Sequence, residues 1–142
     1  MQGSELPVSP VIDPTPEQFK ALVESEDDSP IVMVNLIRFK ERATGIDEGL
    51  SGAEAYATYG RNIAPYLAAA GGEVLAATNS VESVIGPADP EWDMVLLVRY
   101  PSRKAFVGMI GDPGYQREHE HRAAGVEEAR LILSAEFGGG PA

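Results

Sequence analysis

Two stretches of the chain are apolar at alternate positions and apolar again in between. In PIVMVNLIRFK, Ile31, Met33 and Ile37 share one parity, and Val32, Val34 and Leu36 share the other. In WDMVLLVRY, Trp92, Met94, Leu96 and Val98 stand against Val95 and Leu97. Both runs are rich in β-branched and aromatic residues and hold no breaker, so they predict strands over Ile31–Phe39 and Trp92–Tyr100. A strand with one wet face alternates apolar with polar residues. These two therefore predict a sheet covered on both sides. EVLAATNSVESVIG, with a bend or bulge expected at Asn79 and Ser80, and ARLILSAEF supply two more strands.

Elsewhere the apolar period is helical. In TPEQFKALVESE, Thr15 and Gln18 form a capping box, Pro16 suits the first helical position, and Phe19, Leu22 and Val23 make one stripe. A helix is expected over 16–26. Ser51 and Glu54 form a second capping box and open a longer helix. Tyr56, Tyr59, Ile63, Tyr66, Leu67 and Ala70 fall on one side of it, Pro65 predicts a kink, and Gly71-Gly72 a stop. Ser102 starts a short helix carrying Ala105, Phe106, Met109 and Ile110. Asp112 and Pro113 start another, expected over 113–124. The proline-containing residues 1–15 read as a flexible arm and 138–142 as a flexible tail. One α+β domain is expected over 16–137, with an additional helix at 16–26 before a core at 31–137.

The core order is strand, helix, strand, strand, helix, strand, which is the ferredoxin-like βαββαβ arrangement with an antiparallel sheet. Its helices cover one face only. An apolar second face is too large to leave wet on a monomer, so the pattern predicts a homodimer with the two sheets facing each other.

Composition narrows the classes of function. A chain of 142 residues, 44% hydrophobic and 23% charged, has material for one core. The net charge of −11 argues against sequence-independent nucleic-acid binding and against docking on an anionic membrane. Cysteine is absent, which removes disulfides, thiolate metal sites and a cysteine nucleophile. No apolar run approaches the roughly 20 residues of a spanning helix, and MQGSELPVSPVIDP lacks the basic start and apolar centre of a signal peptide. A cytoplasmic protein is expected.

The segments MVNLIRF, AYATYGRNIAPYLAAAGGEVL, VLLVRYPSRKAF and DPGYQ together resemble the family known as domain of unknown function 1330. The resemblance runs from about Ile31 to Phe137. It implies a ferredoxin-like fold in the dimeric α+β barrel superfamily, whose members include cofactor-independent monooxygenases, lactone isomerases and haem enzymes. The N-terminal helix and the loop ERATGIDEG are additions to the common core.

Candidate chemistry centres on DPGYQREHEHR, which holds both histidines. Two helical positions apart, His119 and His121 point about 200° away from each other and cannot share a metal ion, so no metal is expected. His121 is expected to be solvated among Glu118 and Glu120. Tyr115, His119 and Arg122 stand at i, i+4 and i+7 and line one side of the helix. They can bind an anionic or phenolic small molecule, and an imidazole has the intrinsic pKa to move a proton near neutral pH. The structural alternative is that Tyr115 anchors the helix while His119 and Arg122 bond carboxylates or backbone.

Asn35 interrupts an apolar strand, as a pocket residue or as a polar tie between elements. Arg38, of opposite parity, is expected to pair with an acid. Tyr56 and Tyr59 are core residues whose hydroxyls can reach a pocket, with Trp92 as an apolar wall. Two readings remain open. One is a cofactor-independent enzyme moving protons or oxygen on a small organic ligand, with Tyr115 and His119 catalytic and Asn35, Tyr56, Tyr59, Trp92 and Arg122 binding. The other is a non-catalytic binding or interaction module.

Overall fold

The computed structural model describes residues 11–136. The elements run α1 (Pro16–Glu24), β1 (Ile31–Phe39), a 3-10 turn (Gly45–Asp47), α2 (Gly52–Ala69), β2 (Glu73–Asn79), β3 (Met94–Tyr100), α3 (Arg103–Ile110), α4 (Pro113–Gly125) and β4 (Val126–Ser134). The sheet has the order β2-β3-β1-β4 with every neighbouring pair antiparallel. The chain is ferredoxin-like: α2 joins β1 to β2, and α3 with α4 joins β3 to β4. The expected caps are made. Thr15 and Ser51 close reciprocal capping boxes, Ser102 accepts from the Ala105 amide, and Asp112 accepts from the Gly114 amide.

Strand register assigns each side chain to a face. Ile31, Met33 and Ile37 sit opposite Tyr100, Val98 and Met94, and this side carries the helices. With Tyr56 and Tyr59 of α2, Phe106 and Met109 of α3, and Tyr115 of α4, they form the core. On the other side Val32, Val34 and Leu36 pair with Arg99, Leu97 and Val95. Those residues are half-buried, and Ile132 of β4, opposite Val34, is exposed. We call this the open face.

Two glycines let α2 and α4 meet. A Cβ on Gly52 would overlap the Lys40 carbonyl and one on Gly125 the Gly52 carbonyl, so the start of α2 and the end of α4 touch through backbone.

Several expectations need correction. The strand expected through residue 86 ends at Asn79, and its irregularity lies between Val74 and Ala76. The Ser80 amide closes the ladder on the Asp93 carbonyl, and beyond it no strand is left to pair with. Val81, Val84 and Ile85 therefore stand 85%, 89% and 95% exposed. Trp92 precedes β3 instead of belonging to it. α1 ends at Glu24, and of its stripe only Leu22 packs on the core. α2 runs on through Pro65 to Ala69. Of the expected arm, residues 1–10 lie outside the described residues, as do Phe137 and the tail 138–142. Residues 11–13 are tied down: the Ala129 amide of the edge strand donates to the Val11 carbonyl, and Ile12 packs on the core.

Candidate functional site

Tyrosine hydroxyls dominate the chemistry beneath the helices. The apolar stripe of α2 places Tyr56 and Tyr59 against the sheet, and the first turn of α4 brings in Tyr115. The hydroxyls of Tyr59 and Tyr115 lie 2.5 Å apart, and their rings meet edge-on with centroids 6.1 Å apart. Tyr56 continues the cluster, 5.3 Å from the Tyr59 ring and 5.5 Å from Phe39.

Burial sets the protonation of this cluster, because a phenolate removed from water is costly. It pushes Tyr56 up to about 12. It raises Tyr59 well above the ordinary tyrosine range, with help from neighbouring Tyr115. Tyr100, on the same side of the sheet, is raised by burial too. Burial raises Tyr115 as well, but the hydrogen bond with Tyr59 and the charge of Arg122 pull against the rise, while Asp13 adds to it. All four phenols are protonated at neutral pH, and Arg122 is the cation that three of them feel.

Tyr115, His119 and Arg122 do share one side of α4, and what meets them is Asp13. The Oδ1 atom of Asp13 lies 3.0 Å from Nε2 of His119 and 3.4 Å from Nη1 of Arg122. An imidazole and a guanidinium thus converge on a single oxygen of the segment preceding α1.

His121 departs from expectation. It is not solvated: its Nδ1 lies 2.7 Å from Oδ2 of Asp47, and its Nε2 lies 3.6 Å from Oε1 of Glu118. Asp47 is 8% exposed, and His121 is less exposed than His119. Glu118 in turn accepts from the Asn62 amide of α2 at 2.8 Å. The cause is the loop between β1 and α2. It folds back on α4, with the Thr44 amide donating to the Ala124 carbonyl, and covers a helix face that would otherwise be wet. The two histidines therefore serve different partners on different sides of α4.

Two other candidates lie apart from this cluster. Asn35 faces the helix side, but its amide donates to the carbonyls of Leu96 at 3.2 Å and Met33 at 3.4 Å. It ties β1 to β3. Trp92 is not a wall of the tyrosine cluster. Its ring lies under the guanidinium carbons of Arg38 and Arg130, at 5.2 and 5.1 Å from the centroid. By register both arginines belong to the open face, where each pairs with Glu128. Arg38 thus has the acidic partner expected of it. The Arg130 hydrogen bond, followed by the two positive charges, lowers the Glu128 carboxyl.

Two open depressions indent the described surface. One, of about 300 Å³, is lined by Thr44, Gly45, Ile46, Glu120, Ala123 and Ala124. The other, of about 340 Å³, lies between α2 and α3 beside Tyr66, Lys104 and Asp112. Neither is lined by Tyr115, His119, Arg122 or Asn35.

The profile of the family described as Domain of unknown function (DUF1330) matches residues 49–136. The chain belongs to this family. A protein of unknown function from Rhodopseudomonas palustris is 44% identical over 88% of this chain and 95% of its own, with a TM-score of 0.81. SnoaB, a cofactor-independent oxygenase from Streptomyces nogalater, is 17% identical over 80% of this chain and 99% of its own, with a TM-score of 0.53. A NIPSNAP-like domain protein from Burkholderia xenovorans is 13% identical over 82% and 92%, with a TM-score of 0.54. At such identities SnoaB and the NIPSNAP-like protein share the fold alone. No curated protein matches the chain.

In this DUF1330 member the residues that pattern reading missed are Asp13 and Asp47. Each lies in a segment without apolar period, and Asp47 has Glu48 beside it, so no spacing singled either out. The one available signal was indirect: a histidine and an arginine lined up on a helix call for an anion.

Proposed function

We propose that this chain is a small homodimeric enzyme that takes a proton from a phenol or enol hydroxyl of a small organic molecule, using its own side chains. One observation carries the reading: His119 and Arg122 converge on one oxygen beside a tyrosine pair that burial keeps protonated. Two donors aimed at one oxygen is the arrangement that stabilises an oxyanion. In this reading the Asp13 carboxylate occupies the place of the ligand's oxygen, and the ligand enters when residues 11–13 leave.

The substrate's O–H bond then breaks and its proton passes to Nε2 of His119. The resulting oxyanion is held by the imidazolium and by Arg122, with the neutral hydroxyl of Tyr115 as a further donor. Tyr59 fixes the direction of Tyr115, and Tyr56 supplies wall. An enolate or phenolate made this way is reprotonated on carbon, which is an isomerisation, or gives two electrons from carbon to dioxygen, forming a C–O bond and a peroxide that takes back the proton held by His119. Asn35 and Trp92 take no part, because both are engaged elsewhere. The fold shared with SnoaB is compatible with such chemistry and does not by itself choose it.

The test uses 4-nitrophenol, whose absorption reports its ionisation. Asp13→Ala should bind it and enrich the bound anion at a pH where the free probe is largely protonated. His119→Ala or Arg122→Ala in that background should abolish the enrichment. Absence of any probe-dependent change in Asp13→Ala would sink the reading. It would favour a non-catalytic module, for which the packed surroundings speak: among the described residues no buried side-chain polar atom lacks a partner.

The homodimer belongs to the same proposal. An apolar open face built from Val32, Val34, Leu36, Val95, Leu97 and Ile132 is a contiguous patch of a kind monomers seldom leave in water. Among the described residues no helix is long and apolar enough to cross a membrane, and we place the dimer in the cytoplasm.

A further inference from the structure

We infer that residues 11–13 mark a three-point ligand site on the flank between β4 and α4, which takes an elongated molecule with an acidic hydroxyl at one end, an apolar body, and a carbonyl at the other end. The inference rests on the reading above and names the class of substrate that the same site selects.

Three consecutive residues hold three unlike places. The Val11 carbonyl accepts from the Ala129 amide at 2.9 Å. Ile12 packs on the core. Oδ1 of Asp13 meets His119 and Arg122 of α4. β4 is an edge strand, and Ala129 lies opposite Ile37 in the register, so its side chain belongs to the helix side. Its amide points away from β1, off the edge of the sheet, because it donates to Val11. The segment therefore crosses from the sheet edge to the helix layer, with an isoleucine packed on the core between its two polar ends.

Each contact is of a different chemical kind, and a ligand that takes the segment's place meets all three. At the α4 end two donors converge on one oxygen, which suits a hydroxyl that ionises. In the middle, withdrawal of Ile12 uncovers core surface, and an apolar group of similar size restores the burial. At the β4 end the Ala129 amide takes a new acceptor, and a ligand carbonyl supplies it as an extended chain does when it adds to a sheet edge. Length follows from the segment itself. Two residues of chain reach at most about 7 Å and the Asp13 side chain adds to that, so the two oxygens of the ligand stand on the order of 7–10 Å apart. A phenol with a carbonyl on a short para chain meets these conditions. A compact phenol reaches only the α4 end. The backbone of Ala129 is thus the element that selects between them.

The experiment uses the full chain carrying Ile12→Ala and Asp13→Ala, which loosen the segment, with bound 4-nitrophenolate as the reporter. Two competitors are titrated against it: 4-hydroxybenzylacetone, and 4-butylphenol, which has the same chain length and no carbonyl. The ratio of their displacement constants is measured again after Ala129→Pro, which removes one donor at an edge position where proline is tolerated. The ratio should shift against the ketone by about 3- to 10-fold, the worth of one hydrogen bond. Because proline can disturb a strand, exchange of the Ala129 amide is also followed by NMR without that substitution. The ketone should protect the amide and 4-butylphenol should not. A ratio indifferent to Ala129→Pro, or an amide protected equally by both competitors, overturns the three-point site and leaves the proton-transfer reading standing. Failure of 4-nitrophenolate to bind overturns both.

Discussion

Ile37 and Leu36 are neighbours in β1 and equally apolar, yet they live in different surroundings. Ile37 is 2% exposed beneath the helices, while Leu36, on the opposite side of the strand, is half-buried. The two faces of the sheet differ in the same way throughout. On one, three helices supply tyrosines, Phe106 and Met109, and the chain covers its own core. On the other, valines and leucines are flanked by Arg38, Glu128 and Arg130 around Trp92. The apolar run of β1 occupies both faces and reports only that burial is wanted. Who provides the cover depends on the topology, because a βαβ crossover places its helices on one side.

The sharpest way to break this comparison is to truncate both neighbours. Ile37→Ala should cost about 2–5 kcal/mol, the transfer term plus a cavity the helices cannot close. Leu36→Ala should cost less than half as much at nanomolar concentration, and its cost should grow with protein concentration as dimers form. Urea unfolding at two concentrations measures both. Equal, concentration-independent losses would mean that one chain covers both faces.

This contrast also sets how much was legible in the sequence. β1, the four helices and their caps follow from local chemistry: a hydroxyl or carboxylate before the helix, a proline at its first turn, an apolar period inside it. The end of β2 does not follow, because Val81, Val84 and Ile85 are good strand residues and only the missing ladder partner excludes them. Trp92 stands two residues before the ladder begins at Met94, so the parity of Met94 and Leu96 does not extend to it. At the site, the i, i+4, i+7 spacing brought Tyr115, His119 and Arg122 to one side of α4. The partner on that side, Asp13, lies over 100 residues away in sequence, and periodicity carries no information at that range. His121 was misread because its cover comes from the loop at 41–49, whose path is set by tertiary contact.

A smaller effect sharpens the helix side. All five tyrosines lie in or against its core. For Tyr56 the ordinary value of 10.0 is raised to about 12 in the folded chain. Between those values the folded state keeps the proton that the unfolded state gives up, so rising pH favours unfolding. The contribution is complete below pH 10 and is lost as pH climbs through 12. Two units correspond to about 2–3 kcal/mol. Tyr59 and Tyr115 act in the same direction. Stability followed from pH 9 upward should therefore fall steeply above 10, and less steeply in Tyr56→Phe. A flat profile would mean that water reaches the hydroxyls.

The smallest effect separates the two histidines of α4. Asp47 and His121 form a nearly dry pair that fastens the loop at 41–49 to α4. Asp47→Ala leaves a poorly solvated imidazole without its acceptor, a loss of about 1–3 kcal/mol. His119 pairs with Asp13, whose side chain is 52% exposed and exchanges its partner for water readily. His119→Ala should therefore cost below about 1 kcal/mol, in line with other exposed ion pairs. Hydrogen exchange tells the two apart. In Asp47→Ala the amides of Ala43 and Thr44, which bond Leu50 and Ala124, should lose protection, while in His119→Ala they should keep it. A larger loss from His119→Ala would move the weight to the segment at 11–13, and opening the proposed site would then cost more than an exposed ion pair does.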